Sequence, residues 1–392
     1  MTKVSNEHYL SIQEREQLVK AFIENYQVDK IRMVTHRIGN KKYELSAYEL
    51  PLELTYCSHK NSRIGAERMQ YEKGHNVVIE EGNPRHMKAI MNMLLPNNEE
   101  SENLINQMKA PGQTEPGLIT KSGRLINANR RRAALERIGA KTILVSILPD
   151  ETTEEELFDI ELGLQITTDY KEDYKGINRL FMIRRGIELK HSIENLSKKF
   201  SMKKKDIERG LKVLEKVEEF LEEIGKPYEY TEVENMLEHF YELVKESERI
   251  LQEDGDVVLI EEVFYGLMKH NMGEKQNIIG HKEIRDTLLY ASQDPKIFNL
   301  LASSAESTDV EKVQTNLKIA KDLAAMYKNK ETIAKTIAKL VKQIDSINIE
   351  QGFSTYKKGD KIQILAELRN LEAQTKSFIQ EVLDEAGKPK YL

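Results

Sequence analysis

Residues 117–148 read GLITKSGRLINANRRRAALERIGAKTILVSIL. Leu118-Ile119-Thr120 and Arg124-Leu125-Ile126 are short β-prone runs, and Lys121-Ser122-Gly123 between them is a hairpin loop with Gly123 available for a left-handed position. Asn127-Ala128-Asn129 opens a helix over 130–138, with Asn127 and Asn129 as capping residues. Gly139 is its C-terminal stop. Residues 142–148 form a continuous apolar run, the pattern of a buried strand, which Pro149 ends. Ala133 and Ala134 allow the helix to pack closely on the sheet. The order is strand, Gly turn, strand, Asn-rich cap, helix, Gly stop, buried strand.

The helix start has backbone N–H groups without intrahelical partners and the positive end of the helix dipole. Arg130 and Arg131 lie in its first turn, where cations are unfavourable for the helix itself. A bound anion would offset this, because backbone amides and guanidinium groups would both face it. Asn127 and Asn129 have amides that could hold a ribose or phosphate. The plainer alternative is a capped helix with three solvated arginines.

Outward from this stretch, residues 7–27 read as an amphipathic helix, 31–35 and 41–50 as strands, and 85–95 and 99–109 as helices. Thr152 and Thr153 before a Glu cluster start another helix. Six of the nine prolines lie in the first 150 residues, which predicts a turn-rich α/β part followed by a mostly helical remainder. Long helical patterns run near 312–345 and 360–386. The last has Ile362, Ile364, Leu365, Leu368, Leu371, Phe378, Ile379 and Leu383 mostly at helical spacing. That stripe must be buried internally or against a second chain.

Residues 171–216 hold fourteen Lys/Arg against seven Asp/Glu in a chain whose net charge is −6. Within them, 192–211 read SIENLSKKFSMKKKDIERGL. Ser192 is an N-cap candidate; Ile193, Leu196 and Phe200 form one apolar face; Ser201 takes the turn. Met202, Ile207 and Leu211 are the core contacts of a second helix over 204–216. This is helix-turn-helix spacing. Lys199, Lys203, Lys204, Lys205 and Arg209 would meet DNA phosphates, with affinity that depends strongly on salt and weakly on sequence. An ordinary αα-hairpin with a solvated lysine face is the alternative.

Composition sets the outer bounds. A chain of 392 residues predicts two or three domains at roughly 100–200 residues each. Its hydrophobic content of 39% and mean hydropathy of −0.57 are polar, yet sufficient for a core. A pI of about 6.0 excludes a globally basic nucleic-acid binder but not a locally basic one. No apolar run approaches a membrane span, and the first residues lack the apolar segment of a secretion signal. The single cysteine, Cys57, excludes an internal disulfide framework and a Cys-cluster metal site, and points to a reducing cytoplasm. The histidines show no metal-binding spacing, so no metal site is assigned.

The stretch 117–148 resembles the core of the ParB/sulfiredoxin superfamily, in which a hairpin precedes a G-[E/N/C]-[R/H]-R nucleotide-phosphate motif. Here that motif reads Ala128-Asn129-Arg130-Arg131. Upstream, residues 48–54 (YELPLEL) and Asn61-Ser62-Arg63 are similar to the family's I-P-L-x-x-I … Q-P-R segment, and 112–116 (GQTEP) to its G-x-x-x-P entry. The resemblance covers roughly 46–165. Sulfiredoxins carry a catalytic Cys where this chain has Asn129, and ParB proteins and related serine kinases carry Glu. Asn supplies no negative charge to Mg²⁺. Of the family's E-N-x-x-R segment only Glu161 and Gln165 stand as remnants.

The resulting expectation is an α+β chain. Residues 1–45 are an extension, and 46–165 a small mixed ParB/sulfiredoxin-like nucleotide-binding domain. An all-α helix-turn-helix domain follows over 166–217, then a helical C-terminal region over 218–392. By resemblance, Arg63, Asn127, Asn129, Arg130 and Arg131 would hold a nucleoside triphosphate, CTP or ATP. Glu53, Glu161 and Gln165 would position water or Mg²⁺. The partners would be double-stranded DNA, a second copy, and a protein engaging the C-terminal region, with no membrane. The nucleotide would control DNA engagement in partition, regulation, mobile-element biology or phage defence. Two other readings are open: a ParB-like NTPase, kinase or nuclease, and a non-catalytic assembly subunit with a vestigial nucleotide site.

Overall fold

The computed structural model describes residues 10–27, 32–38, 41–150, 152–168, 176–272, 278–345 and 356–385. The chain is α+β, as its sequence predicts. Helix α1 (Ile12–Glu24) is set by a capping box between Ser11 and Glu14; residues 7–9 of the expected helix lie outside the described residues. Strands β1 (Arg32–Ile38) and β2 (Lys41–Pro51) pair antiparallel. They are followed by β3 (Tyr56–Cys57), β4 (Gly117–Ile119), β5 (Arg124–Leu125) and β6 (Thr142–Ile147). The sheet order is β1-β2-β6-β4-β5-β3. β2 pairs antiparallel with β6, placing Leu50 opposite Ile143; β6 runs parallel to β4, and β5 parallel to β3.

Side-chain alternation along the strands builds two cores. Ile119, Leu125, Ile143 and Val145 join Val19 of α1, helix α3 (Pro84–Leu94), and Ala133 and Ala134 of α5 (Asn129–Arg137). Leu118, Ile126 and Leu148 join Leu157 and Ile160 of α6 (Glu154–Thr168) in the other. Two more helices flank the first core, α2 (Gly65–His75) and α4 (Glu99–Lys109). The sequence carries little notice of α2: of its side chains only Ala66 is buried, so it has no apolar stripe.

The cap of α5 differs from expectation. The N-cap is Ala128, in the left-handed region at φ 61, with no side chain capping the helix. Its methyl fits because Gly117 faces it; a Cβ at Gly117 would lie 2.9 Å away. Left-handed backbone costs an L-residue about 1 kcal/mol or more, which glycine avoids at some cost in unfolded-chain entropy. Ala128→Gly is therefore expected to stabilise the protein by about 0.5 kcal/mol. A lowered midpoint in thermal denaturation would show instead that the methyl's packing outweighs the backbone strain.

A helical part follows: α7 (Ile177–Glu188), α8 (Ile193–Lys199), α9 (Lys204–Glu223), α10 (Leu237–Gln252), α11 (Val257–Met268), α12 (His281–Ile284), α13 (Thr287–Ala291), α14 (Pro295–Glu306), α15 (Val310–Asp345) and α16 (Lys358–Glu385). Its core is aromatic. Phe220, Phe240 and Phe264 are fully buried, with successive ring centroids 5.6 and 5.3 Å apart. Two compact units divide at 322/323. The stretches 46–165 and 166–217 and the first part of 218–392 lie within the first. In the second, Leu365, Leu368, Leu371, Phe378 and Ile379 of α16 are exposed.

Candidate functional site

The arginine turn is committed to structure. Asn129 is buried; its Oδ1 accepts from the Ser58 amide (2.9 Å), fastening α5 to the loop after β3. Asn127 Oδ1 accepts from the Leu118 amide (2.6 Å), closing the β4–β5 hairpin. Arg130 donates to the Leu94 carbonyl at 3.2 Å and pairs with Glu100 of α4. Arg131 donates to the Glu115 carbonyl, and burial lowers its pKa, with Glu115 opposing. Arg132 is buried and spans the Thr55 and Leu52 carbonyls and Glu136. Both asparagine carbonyls expected to orient a ligand are thus occupied. Arg130 and Arg131 reach different partners.

The other family-like segment lines a cleft of about 420 Å³. One wall is the loop His59–Lys60–Asn61–Ser62; the others carry Arg68 of α2, Glu154 of α6, and Phe181, Arg184, Arg185 and Glu188 of α7. Such a volume falls within the range of small-molecule sites. The cations are held by carboxylates behind them. Arg184 bonds Glu218 (2.6 Å) and lies over the Phe181 ring; Arg68 pairs with Glu72 (3.1 Å). Arg185 donates to Glu161 (2.9 Å) and to the Lys60 carbonyl (2.9 Å). Glu161 also accepts from the Ser62 amide (3.1 Å) and hydroxyl (3.0 Å). It is a buried clamp between the loop and α7. Asn178 of α7 adds a second clamp, accepting from the Ala66 amide and donating to the Arg63 carbonyl, both at 2.9 Å. The backbone comes close here; a Cβ on Gly65 would lie 3.1 Å from Asn178 Oδ1.

Behind the cleft runs a charged chain. His59 Nδ1 lies 3.2 Å from Glu81, and Arg124 bridges Glu81 (3.3 Å) and Glu154 (2.6 Å). Lys60 approaches Glu154 at 3.5 Å. Burial alone would raise the Glu81 carboxyl, but His59 and Arg124 outweigh it and hold it down to about 2. Burial pushes the Cys57 thiol up to about 11, so it is no thiolate nucleophile at neutral pH.

Of the expected carboxylates, Glu53 lines a different cleft, about 570 Å³, beside Arg15, Met87 and Arg132. Glu161 is occupied as above, and the side chain of Gln165 lies outside the described residues. No set of three or more His, Cys, Asp or Glu suited to a metal ion occurs among the described residues. Neither Glu53 nor Glu161 thus offers a free carboxylate to Mg²⁺ at the cleft.

The second surface is α8–turn–α9. The Ser192 hydroxyl accepts from the Asn195 amide (3.1 Å), and Ser201 takes the turn at φ 51. Leu196 and Ile207 are fully buried. Gly210, Val213 and Leu214 of α9 are buried, whereas Leu211 is only half-buried. Gly186 of α7 lets α8 approach: a Cβ there would lie 2.6 Å from Leu196. Lys203, Lys204 and Lys205 are exposed around the start of α9. Arg209 is directed instead to Glu248 of α10 (3.0 Å), which also draws Lys205 (3.2 Å), and Lys199 pairs with Asp159 of α6. Glu208 and Glu215 share the exposed side of α9 with Lys204 and Lys212, which dilutes its positive charge.

Sequence reasoning passed over His59, Lys60, Arg68, Arg184 and Arg185. The positive excess of 171–216 included the last two but was assigned wholly to the helix-turn-helix.

Among solved structures the chain is similar to the C-terminally truncated chromosome-partitioning protein ParB from Caulobacter crescentus, complexed with CTP-gamma-S. The match has 15% identity over 51% of this chain and 92% of that one, with a TM-score of 0.21. No protein-family model matches the chain, and no curated protein matches it. No described helix is long and apolar enough to cross a membrane.

Proposed function

We propose that this is a ParB-like DNA-binding protein in which a nucleoside triphosphate, CTP or ATP, occupies the 420 Å³ cleft and controls how the helix-turn-helix engages duplex DNA. The supporting observation is the double use of α7. Arg184 and Arg185 on it line the cleft, while Gly186 on the same helix receives Leu196 of α8. A ligand held between the α7 arginines and the 59–62 loop acts directly on the helix against which the DNA-binding elements pack. Lys60, Arg68, Arg184 and Arg185 supply the charge-assisted donors that a polyphosphate requires. In this reading Arg130 and Arg131 hold the fold, Lys203, Lys204 and Lys205 contact DNA phosphates, and a second copy covers the apolar stripe of α16.

Calorimetric titration with ATP, CTP, GTP and UTP, with and without duplex DNA, tests the reading. One nucleotide is expected to bind. Lys60→Ala and Arg184→Ala are each expected to weaken it about 10-fold, the cost of a charge-assisted hydrogen bond, while Arg130→Ala leaves it unchanged. Replacing Lys203, Lys204 and Lys205 together by Ala is expected to lower duplex affinity and reduce the salt slope by up to about 3. No binding of any nucleotide, or an unchanged slope, would overturn the corresponding half.

A further inference from the structure

We propose that His59, oriented by Glu81, is the general base of the cleft and hydrolyses the terminal phosphoanhydride of the bound nucleotide. The inference rests on the nucleotide-cleft reading and adds a catalytic residue to it. The positions at which the resemblance would place acid–base chemistry are occupied: Asn129 holds Ser58, and Glu161 holds Ser62 and Arg185. His59 is arranged differently. It lines the cleft, and its Nδ1 is shut off from solvent with Glu81 Oε1 3.2 Å away, a charge contact rather than a hydrogen bond. Its Nε2 makes no hydrogen bond to the described residues and is not among the solvent-excluded atoms. A carboxylate beside Nδ1 favours the tautomer with the proton on Nδ1, leaving the Nε2 lone pair to act as a base. Glu81 is itself anchored by Arg124, which Glu154 holds from the cleft side. Base, orienting carboxylate and anchoring cation thus form one chain ending at the cleft.

The step balances simply. As the oxygen of a water bonds to the terminal phosphorus, Nε2 takes its proton. The bond from phosphorus to the bridging oxygen breaks, and its electron pair leaves on the β-phosphate. The products are a nucleoside diphosphate and inorganic phosphate, and the imidazolium returns its proton to solvent. Lys60 and Arg184 lie on the same cleft to neutralise the charge that develops.

The test measures phosphate release and nucleotide binding side by side, with Mg²⁺ and duplex DNA present, on the full chain. His59→Gln is expected to lower turnover about 100-fold or more, the range for loss of a general base, with nucleotide affinity nearly unchanged. Glu81→Gln is expected to lower turnover less, by a change in kcat rather than in affinity. Added imidazole is expected to restore part of the activity of His59→Ala, which a purely structural histidine would not allow. Turnover by His59→Gln equal to that of the unaltered chain would overturn the assignment, as would a nucleotide that binds the unaltered chain and is never hydrolysed. Failure of every nucleotide to bind would instead refute the cleft reading on which the assignment stands.

Discussion

Gly123→Ala is expected to cost about 3–5 kcal/mol of folding stability. Gly123 sits at φ +82, and a methyl there would lie 2.0 Å from the Leu54 carbonyl oxygen. The obstacle is backbone, not the end of a flexible side chain. The loop cannot swing away, because the Gly123 carbonyl accepts from the Tyr56 amide (2.9 Å) and its amide donates to the Thr120 carbonyl (2.9 Å). Moving it would break the pairing of β3 with β5 at the sheet edge. Left-handed strain of about 1–2 kcal/mol and a close-packing clash of similar size combine here. Against a total stability of about 5–15 kcal/mol the loss is large. Gly139→Ala is the control: φ is +73 but nothing lies within 4 Å of the added methyl, so only the left-handed strain remains. Urea denaturation of both variants separates the two costs, and equal midpoints would show that the contact with Leu54 relaxes freely.

Glu161→Leu is expected to destabilise the protein by about 3 kcal/mol or more, because it strands Arg185 and the Ser62 amide and hydroxyl together. Glu161→Gln retains an acceptor for Ser62 and loses only the ion pair, so its effect is smaller. The measurement is the thermal midpoint of each variant beside its nucleotide turnover. Turnover lost with an unchanged midpoint would make Glu161 catalytic rather than a clamp between the 59–62 loop and α7.

Much of the secondary structure was legible in the sequence for a common reason: its causes are local. The apolar run at 142–148, the glycine at 123 and the Ser192 cap each act within a few residues of where they are written. The small pair Ala133 and Ala134 likewise announced a helix lying flat on a sheet. Helix α2 escaped because a helix that buries only Ala66 has no stripe to read.

The site was less legible because long cationic side chains take their direction from distant carboxylates. Arg130 turns to Glu100, 30 residues away; Arg184 to Glu218, 34 away; and Arg209 to Glu248, 39 away. None of these pairings has a sequence period. By itself the sequence determined the α+β class, the Gly123 hairpin, the small-residue face of α5 and the turn between α8 and α9, because backbone preference and side-chain volume are properties of the segment. Only the tertiary structure decided which cations line the cleft, that Asn129 and Glu161 serve as clamps, and that His59 meets Glu81, 22 positions further along the chain. Those outcomes depend on electrostatic partners that approach one another only when the core has formed.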